Sequence, residues 1–390
     1  MAKPQPAPRN PIQDNLRARQ FVLEKAIDMW QALPAQTPVG EPRGQVLNFQ
    51  AKNVGLIKRF VVEVSFSLTQ TAAETHTRTA FGPANIFSNF TLTDLNNIQR
   101  INSTGWHMTF MATARRRQAI AAAFTNDSPV LMGSNYAVAV APSPITTIQA
   151  VRFFFEIPVS YSDTDLRGAI YAATTGANVT LQMTVNPNLV AVTGANPTLA
   201  VYLSSTAATG TITLFTVTVY QNYLDQIPMD PNSGQPILPL IDMSYAYMAI
   251  NTVLIGLAVN QENSVPYSNW RSFMSTTVVY DNFGSASLPG TDVAYWAIQV
   301  ANSTNIIKWD PFMASFMTRT IIADDYPAVA ARSVYYFDHR TRPINTDQFG
   351  NQLLVINPSQ VQAATSQVLI GFEMLALQNN VLNASSPAKY

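Results

Sequence analysis

The chain has no cysteine among its 390 residues. That excludes a disulfide framework, a Cys-based zinc site and a thiol nucleophile. It fits synthesis in a reducing cytoplasm and equally a disulfide-free exported protein. Charge is scarce too, with 12% of residues Asp, Glu, Lys or Arg against 47% hydrophobic. The surface is therefore rich in Asn, Thr, Ser and Gln, which suits packing against copies of itself. Histidine is limited to His76, His107 and His339, at no metal-ligand spacing, so neither a metal nor another cofactor is expected. The longest apolar stretch, Met248 to Val259, is interrupted by Asn251 and Thr252 and is shorter than the roughly 20 residues of a membrane span. Lys3 to Gln20, broken by Pro4, Pro6, Pro8 and Pro11, lacks a signal-peptide core, so export by that route is not expected. Nucleophile-elbow, Walker and dinucleotide motifs are missing as well.

The remaining candidates for chemistry have plainer readings. Asp163/Asp165 read as a helix cap and Asp324/Asp325 as a solvated turn rather than as glycosidase pairs. Arg115-Arg116-Arg117 reads as a solvated loop or an intersubunit contact, and no direct nucleic-acid binding is expected from so short a basic run. His107 is out of phase with Trp106, Met108 and Phe110, which places it on the polar face of a strand.

The length exceeds the roughly 250–300 residues at which a single core stops growing, so two domains are expected. Charge is uneven: residues 1–60 hold nine cations and four anions, net +5, and since the whole chain is neutral the remainder carries −5. Asn10-Pro11 reads as an N-cap opening a helix from about Ile12 to Leu33, with Leu16, Leu23, Ile27 and Trp30 at helical spacing. Pro34 and Pro38 end it.

From Lys58 the period changes to two. Val62, Val64, Phe66 and Leu68 alternate with polar residues, and similar runs follow at Trp106/Met108/Phe110, Val151–Val159 and Val179–Val185. Thr211–Tyr220 switches phase between Leu214 and Phe215, as a β-bulge requires. Short capped helices are expected from Ser162 through Ala173 and from Pro311 through Ile322, the latter with Phe312 and Phe316 on one face. One helix in each half is the sole hint of duplication. Further strands are expected at Thr276–Tyr280, Val293–Val300, Ser333–Asp338, Gln352–Ile356 and Gln367–Leu377, with a loose tail after Asn379.

Pro228, Asp230 to Gly234, Pro236 and Pro239 form a cluster of turn residues that marks the domain boundary. The expected fold is all-β: residues 1–49 an arm with an amphipathic helix, 50–233 a first jelly roll, and 234–390 a second beside it with the C-terminal tail. The inter-domain crossing comprises Tyr220, Tyr223, Leu224, Pro228 and Pro239; its aromatics Tyr220 and Tyr223 should bury while its prolines hold the angle.

Several segments resemble, in collinear order, the major capsid proteins of tectiviruses, the tailless icosahedral phages with an internal membrane. They are Phe81 to Asn85, Ser103 to His107, Tyr161 to Leu166, Gly194 to Pro197, the crossing Val219 to Pro228 with Ile237 to Asp242, Gly290 to Asp292, Val334 to Tyr336 and Gln348 to Asn351. The chain departs from that family's pattern in its Pro-rich first eleven residues and its lack of cysteine.

The resemblance implies a double jelly roll standing normal to a shell, and a homotrimer forming a pseudo-hexagonal capsomer. Its partners would be neighbouring capsomers, minor vertex and cementing capsid proteins, and an internal membrane surface. The chain would be made in the host bacterial cytoplasm and end in the virion capsid. The family's N-terminal helix lies at the membrane-facing base, and here Arg9, Leu16, Arg17, Arg19, Leu23, Lys25, Ile27 and Trp30 occupy the matching place. Residues 1–33 carry five cations and three anions, net +2, and their apolar stripe fits either an anionic membrane surface or the underside of the chain's own β domain. The other reading is a carbohydrate-binding or adhesive β-sandwich, which needs Trp106, Trp270, Trp296 or Tyr247 exposed on one face; a hydrolase comes behind both.

Overall fold

The structure, a computed structural model, describes residues 10–69, 76–78, 82–116, 121–124, 130–131, 149–173, 176–192, 200–204, 211–268, 271–281, 293–300, 304–321, 332–346, 352–359 and 367–378. Helix α1 (Pro11–Lys25) opens it. The first half continues with β1 (Ile27–Ala32), β2 (Val46–Gln50), β3 (Leu56–Thr69), β4 (His76–Arg78), β5 (Phe87–Thr93) and β6 (Gln99–Ser103). Helix α2 (Gly105–Arg116) follows, then β7 (Ala121–Phe124), β8 (Val130–Leu131), β9 (Gln149–Pro158), β10 (Ile170–Tyr171) and β11 (Thr180–Val185). Strands β12 (Val190–Val192), β13 (Tyr202–Ser204) and β14 (Thr211–Asp225) complete it.

The second half begins with α3 (Leu240–Met243), β15 (Tyr245–Ile255), β16 (Asn263–Pro266), β17 (Ser272–Asp281), β18 (Val293–Val300) and β19 (Thr304–Trp309). It ends with α4 (Pro311–Ile321), β20 (Arg332–Asp338), β21 (Ile344–Asn345), β22 (Leu353–Pro358) and β23 (Gln367–Leu377).

The two halves repeat one topology. In the first, the order β1-β14-β3-β9 faces β2-β11-β5-β6; in the second, β15-β23-β17-β20 faces β16-β22-β18-β19. Helix α2 follows β6 as α4 follows β19, and the short strands β10 and β21 lie on β3 and β17. Each half is a jelly-roll sandwich, and the two are joined where β6 pairs in parallel with β15, Ile101 to Ala249 and Asn102 to Ile250.

Alternation decides each core. Phe60, Val62, Val64 and Phe66 of β3, with Phe153, Phe155 and Ile157 of β9, bury against Phe90 and Leu92 of β5 and Leu181 and Met183 of β11. The second core sets Phe273, Val278 and Tyr280 of β17 and Ile370, Phe372 and Met374 of β23 against Trp296 and Ile298 of β18.

Four expectations need correction. The helix of the arm stops at Lys25, because from Ile27 the chain pairs with the edge of β14, Ile27 opposite Asp225 through Ala32 opposite Tyr220. The helical spacing of Ile27 and Trp30 is thus fortuitous. Trp106, Met108 and Phe110 lie on α2, not on a strand. Trp106, His107, Met108, Phe110, Met111 and Ala114 are each at most 1% exposed, and burial all round a helix erases the period that distinguishes it from a strand. His107 is therefore interior rather than on a polar face.

No helix follows Ser162. Its Oγ accepts the Asp165 N–H at 3.0 Å as anticipated, but Gly168 (φ +95°) then turns the chain into β10. Finally, Tyr220, Tyr223 and Leu224 belong to β14, so the crossing proper starts after Asp225. By contrast, the bulge in β14 lies where the phase switch put it, with Leu214 at φ +53° and the register shifting between Thr213 and Thr216. Helix α4 starts at Pro311 with Asp310 accepting the Met313 N–H at 2.7 Å. The tail after Asn379 and the Asp324/Asp325 pair lie outside the described residues.

Candidate functional site at the seam and the base helix

Helix α2 wedges between the sandwiches. Its residues share one core with Ala249, Val279, Tyr336 and Leu369 of the second half. At its C-terminal end Arg115 reaches Glu373 of β23, with Nη2 2.5 Å and Nε 3.0 Å from Oε1. Tyr247 donates its hydroxyl to the same oxygen at 3.1 Å, and Ser275 donates to Oε2 at 2.6 Å. Burial alone would raise the Glu373 carboxyl; the Arg115 charge and these hydrogen bonds outweigh it and hold the group below its ordinary value. The Arg115 guanidinium is pushed up despite burial by Glu373. Arg115 is therefore neither a loop residue nor free to grip phosphate. Beside it lies a polar cavity of about 460 Å³, lined by Lys58, Arg59, Arg115, Glu156, Tyr161 and Arg340 among others. Its cations are paired: Lys58 with Asp28, Arg59 with Glu156 and Asp163, Arg340 with Asp338.

At the N-terminal end of the described residues, α1 is tied to α3. Arg19 forks onto the buried Asp242 with both contacts at 2.5 Å. The Asn15 side chain donates to Asp242 at 2.9 Å and accepts the Ile241 N–H at 2.9 Å. Val22 buries among Leu56, Leu166, Ala169 and Leu224. The Gly168 N–H donates to the Asp242 carbonyl, and the Gly168 carbonyl accepts from Arg100, itself paired with buried Asp94. A Cβ on Gly168 would lie 2.8 Å from the Tyr247 backbone, so this joint requires glycine.

The predicted arm residues divide. Arg19 and Leu23 pack against the chain's own fold; Leu16, Arg17, Lys25, Ile27 and Trp30 are exposed; Arg9 lies outside the described residues. Arg59 stacks over the Trp30 ring at 5.3 Å. In the crossing group Tyr223, Leu224 and Pro239 are buried, Pro228 is half-buried, and half-buried Tyr220 donates its hydroxyl to Glu63 at 3.0 Å. Sequence reasoning missed Asp242 and Glu373. A lone acid within the apolar run Val368 to Leu377 was the available signal for Glu373.

Trp106, Trp296 and Tyr247, which a glycan platform would need on the surface, are at most 1% exposed; Trp270 lies outside the described residues. Two jelly rolls of one strand order, set side by side, make the double jelly-roll architecture of viral major capsid proteins. The chain is similar in fold to the atomic structure from Sulfolobus Turreted Icosahedral Virus (TM-score 0.62, 11% identity, covering 92% of this chain and 94% of that one). It is also similar to PBCV-1 VP54 (TM-score 0.54, 11% identity, 90% and 95% covered). Family profiles described as P3 major capsid protein N-terminal and C-terminal match residues 7–227 and 244–388. Major capsid protein P3 of Enterobacteria phage PRD1 is 34% identical over 377 residues, 95% of this chain and 93% of that protein. The chain belongs to the P3 major capsid protein family, and its role is to build a capsid shell.

Proposed function

We propose that three copies of the chain form a pseudo-hexagonal capsomer, and that these capsomers build an icosahedral shell around an internal lipid membrane and the genome, without enzymatic activity. The internal repeat carries this reading. Each chain presents two units of one strand order, so three chains supply six similar units to a ring. The partners are neighbouring capsomers, minor vertex and cementing capsid proteins, and the membrane surface at the base. There the exposed Arg17 and Lys25 of α1 can meet anionic headgroups, each adding up to about 1 kcal/mol at low salt. Synthesis takes place in the host bacterial cytoplasm. The domain boundary falls within the proline-punctuated crossing, and the arm is limited to the residues ahead of β1, since β1 and β2 belong to the sheets of the first sandwich. In sedimentation and electron microscopy, purified chain should run as a trimer and assembled particles should show hexagonal capsomers over a bilayer; a monomer that binds glycans would replace this reading with the adhesive one.

A further inference from the structure

Three polar side chains converge on neighbouring strands of the first sandwich. Strand β14 runs between β1 and β3, and its register with β3 slips at one point: Asn222 lies opposite Arg59, and Tyr223 opposite Ile57. Lys58 is the residue passed over, the extra position of a β-bulge, and a bulge re-aims the side chain it displaces. Across β14, Asp28 of β1 lies opposite Leu224, two places from Asn222 and so on the same face.

The Asp28 carboxylate bridges the other two. Its Oδ2 accepts from Lys58 Nζ at 3.0 Å, and its Oδ1 accepts from Asn222 Nδ2 at 2.6 Å. Asn222 also donates to the Met29 carbonyl at 3.1 Å, which fixes the plane of its amide. Its Oδ1 is buried and accepts no hydrogen bond among the described residues. Lys58 and Asn222 are 4% and 0% exposed, whereas the Asp28 side chain is half in water. A plain ion pair needs neither a buried lysine nor an amide on the second carboxylate oxygen. A buried amine and an amide held on one carboxylate are the set required for amide transfer.

We infer that Lys58 and Asn222 become joined by an isopeptide bond, formed once per folded chain, with Asp28 as the proton carrier. Asp28 takes a proton from the Lys58 ammonium, and the neutral amine attacks Asn222 Cγ. The Nζ–Cγ bond forms and the Cγ–Nδ2 bond breaks. Two protons pass in all from Nζ to Nδ2 by way of Asp28, so the nitrogen leaves as ammonium and takes the charge of Lys58 with it. No oxidant or cofactor enters. The half-exposed carboxylate is the route to water. Proximity is supplied by the shared carboxylate, and the flexible lysine stem closes to a near-attack distance of roughly 3–3.5 Å. Conversion replaces a buried charge, costly in the interior, by a neutral amide. The product ties β3 to β14, the pair at the centre of the first sandwich.

The test is the intact mass of denatured full-length chain together with its proteolytic map. The unaltered chain should be lighter than its sequence by one ammonia. Its tryptic digest should hold one branched peptide uniting the stretches around Lys58 and Asn222, with no cut after Lys58. Lys58→Arg and Asp28→Asn should each restore the full mass; the loss persisting in Lys58→Arg would overturn the assignment. So would a full mass for the unaltered chain. A map with Lys58 and Asn222 in separate linear peptides would overturn it even with an ammonia missing, because a succinimide at Asn222 loses the same mass without engaging Lys58. The unaltered chain decides by itself, so the test stands even where a variant fails to fold.

Discussion

Gly371 of β23 exists for its neighbour. A Cβ there would fall 2.1 Å from His107 Cδ2, and α2 cannot retreat because it is enclosed. Gly371→Ala should therefore cost roughly 1–3 kcal/mol as overpacking, read as a lower urea midpoint. Glu373→Gln should cost more, about 3–5 kcal/mol, by leaving the Arg115 charge buried without its partner. A loss under about 1 kcal/mol would show that Arg115 escapes to solvent. Two buried histidines contribute to the acid response. Burial pushes the His107 imidazole down to about 3 and that of His339 down to about 4, from an ordinary value of 6.5. The unfolded chain then binds more protons than the folded one between these values, so stability is full above pH 6.5 and is lost as pH falls through 4 and then 3. Each histidine contributes a slope of up to about 1.4 kcal/mol per pH unit in its window. His339→Gln should flatten the fall between pH 6.5 and 4; an unchanged slope would assign the acid response to other groups.

At the scale of elements, β14 is the first sandwich's spine, pairing with β1 on one side and β3 on the other. Tyr223→Ala within it should cost on the order of 2–4 kcal/mol, as truncations of buried aromatics do. Deleting residues 1–26 removes α1 but spares β1, and that chain should stay soluble. Deleting through residue 33 also strips Asp28 from Lys58 and from Asn222 and should lower the melting temperature further, as calorimetry of the two truncations will show. Much of this was legible beforehand. The strands of the second half, Val293–Val300 and Gln367–Leu377 above all, match because runs of β-forming apolar residues stand between turn residues there, although both strands are buried on nearly every side. The arm and α2 were misread for one physical reason. Ile27 and Trp30 are governed by pairing with a strand nearly two hundred positions away, and α2 by burial on every side, and neither leaves a periodic mark in its own segment. The Arg19–Asp242 and Arg115–Glu373 pairs were illegible for the same cause, since their partners are distant in sequence and no local pattern links them.

Across the whole molecule, the seam should make the two sandwiches unfold together. Calorimetry of the unaltered chain should give one transition, and Glu373→Gln, which breaks the tie between α2 and β23, should split it in two. A single transition in the variant would place the coupling in the apolar contacts of α2 instead. Because charged residues are few, assembly should not depend on ion pairs: trimers should survive molar salt, which screens exposed charges within about 3 Å.

In the proposed trimeric ring, the parallel pairing of β6 with β15 also bears on how quickly the ring is built. Six separate jelly rolls would need five successive encounters, and each would forfeit about 4–15 kcal/mol of translational and rotational freedom. Fusing them in pairs makes alternate contacts intramolecular, so closure takes two encounters and its rate follows a lower power of concentration. Capsomers of the proposed kind can then form while the coat protein is still dilute, before the shell they join has begun to form.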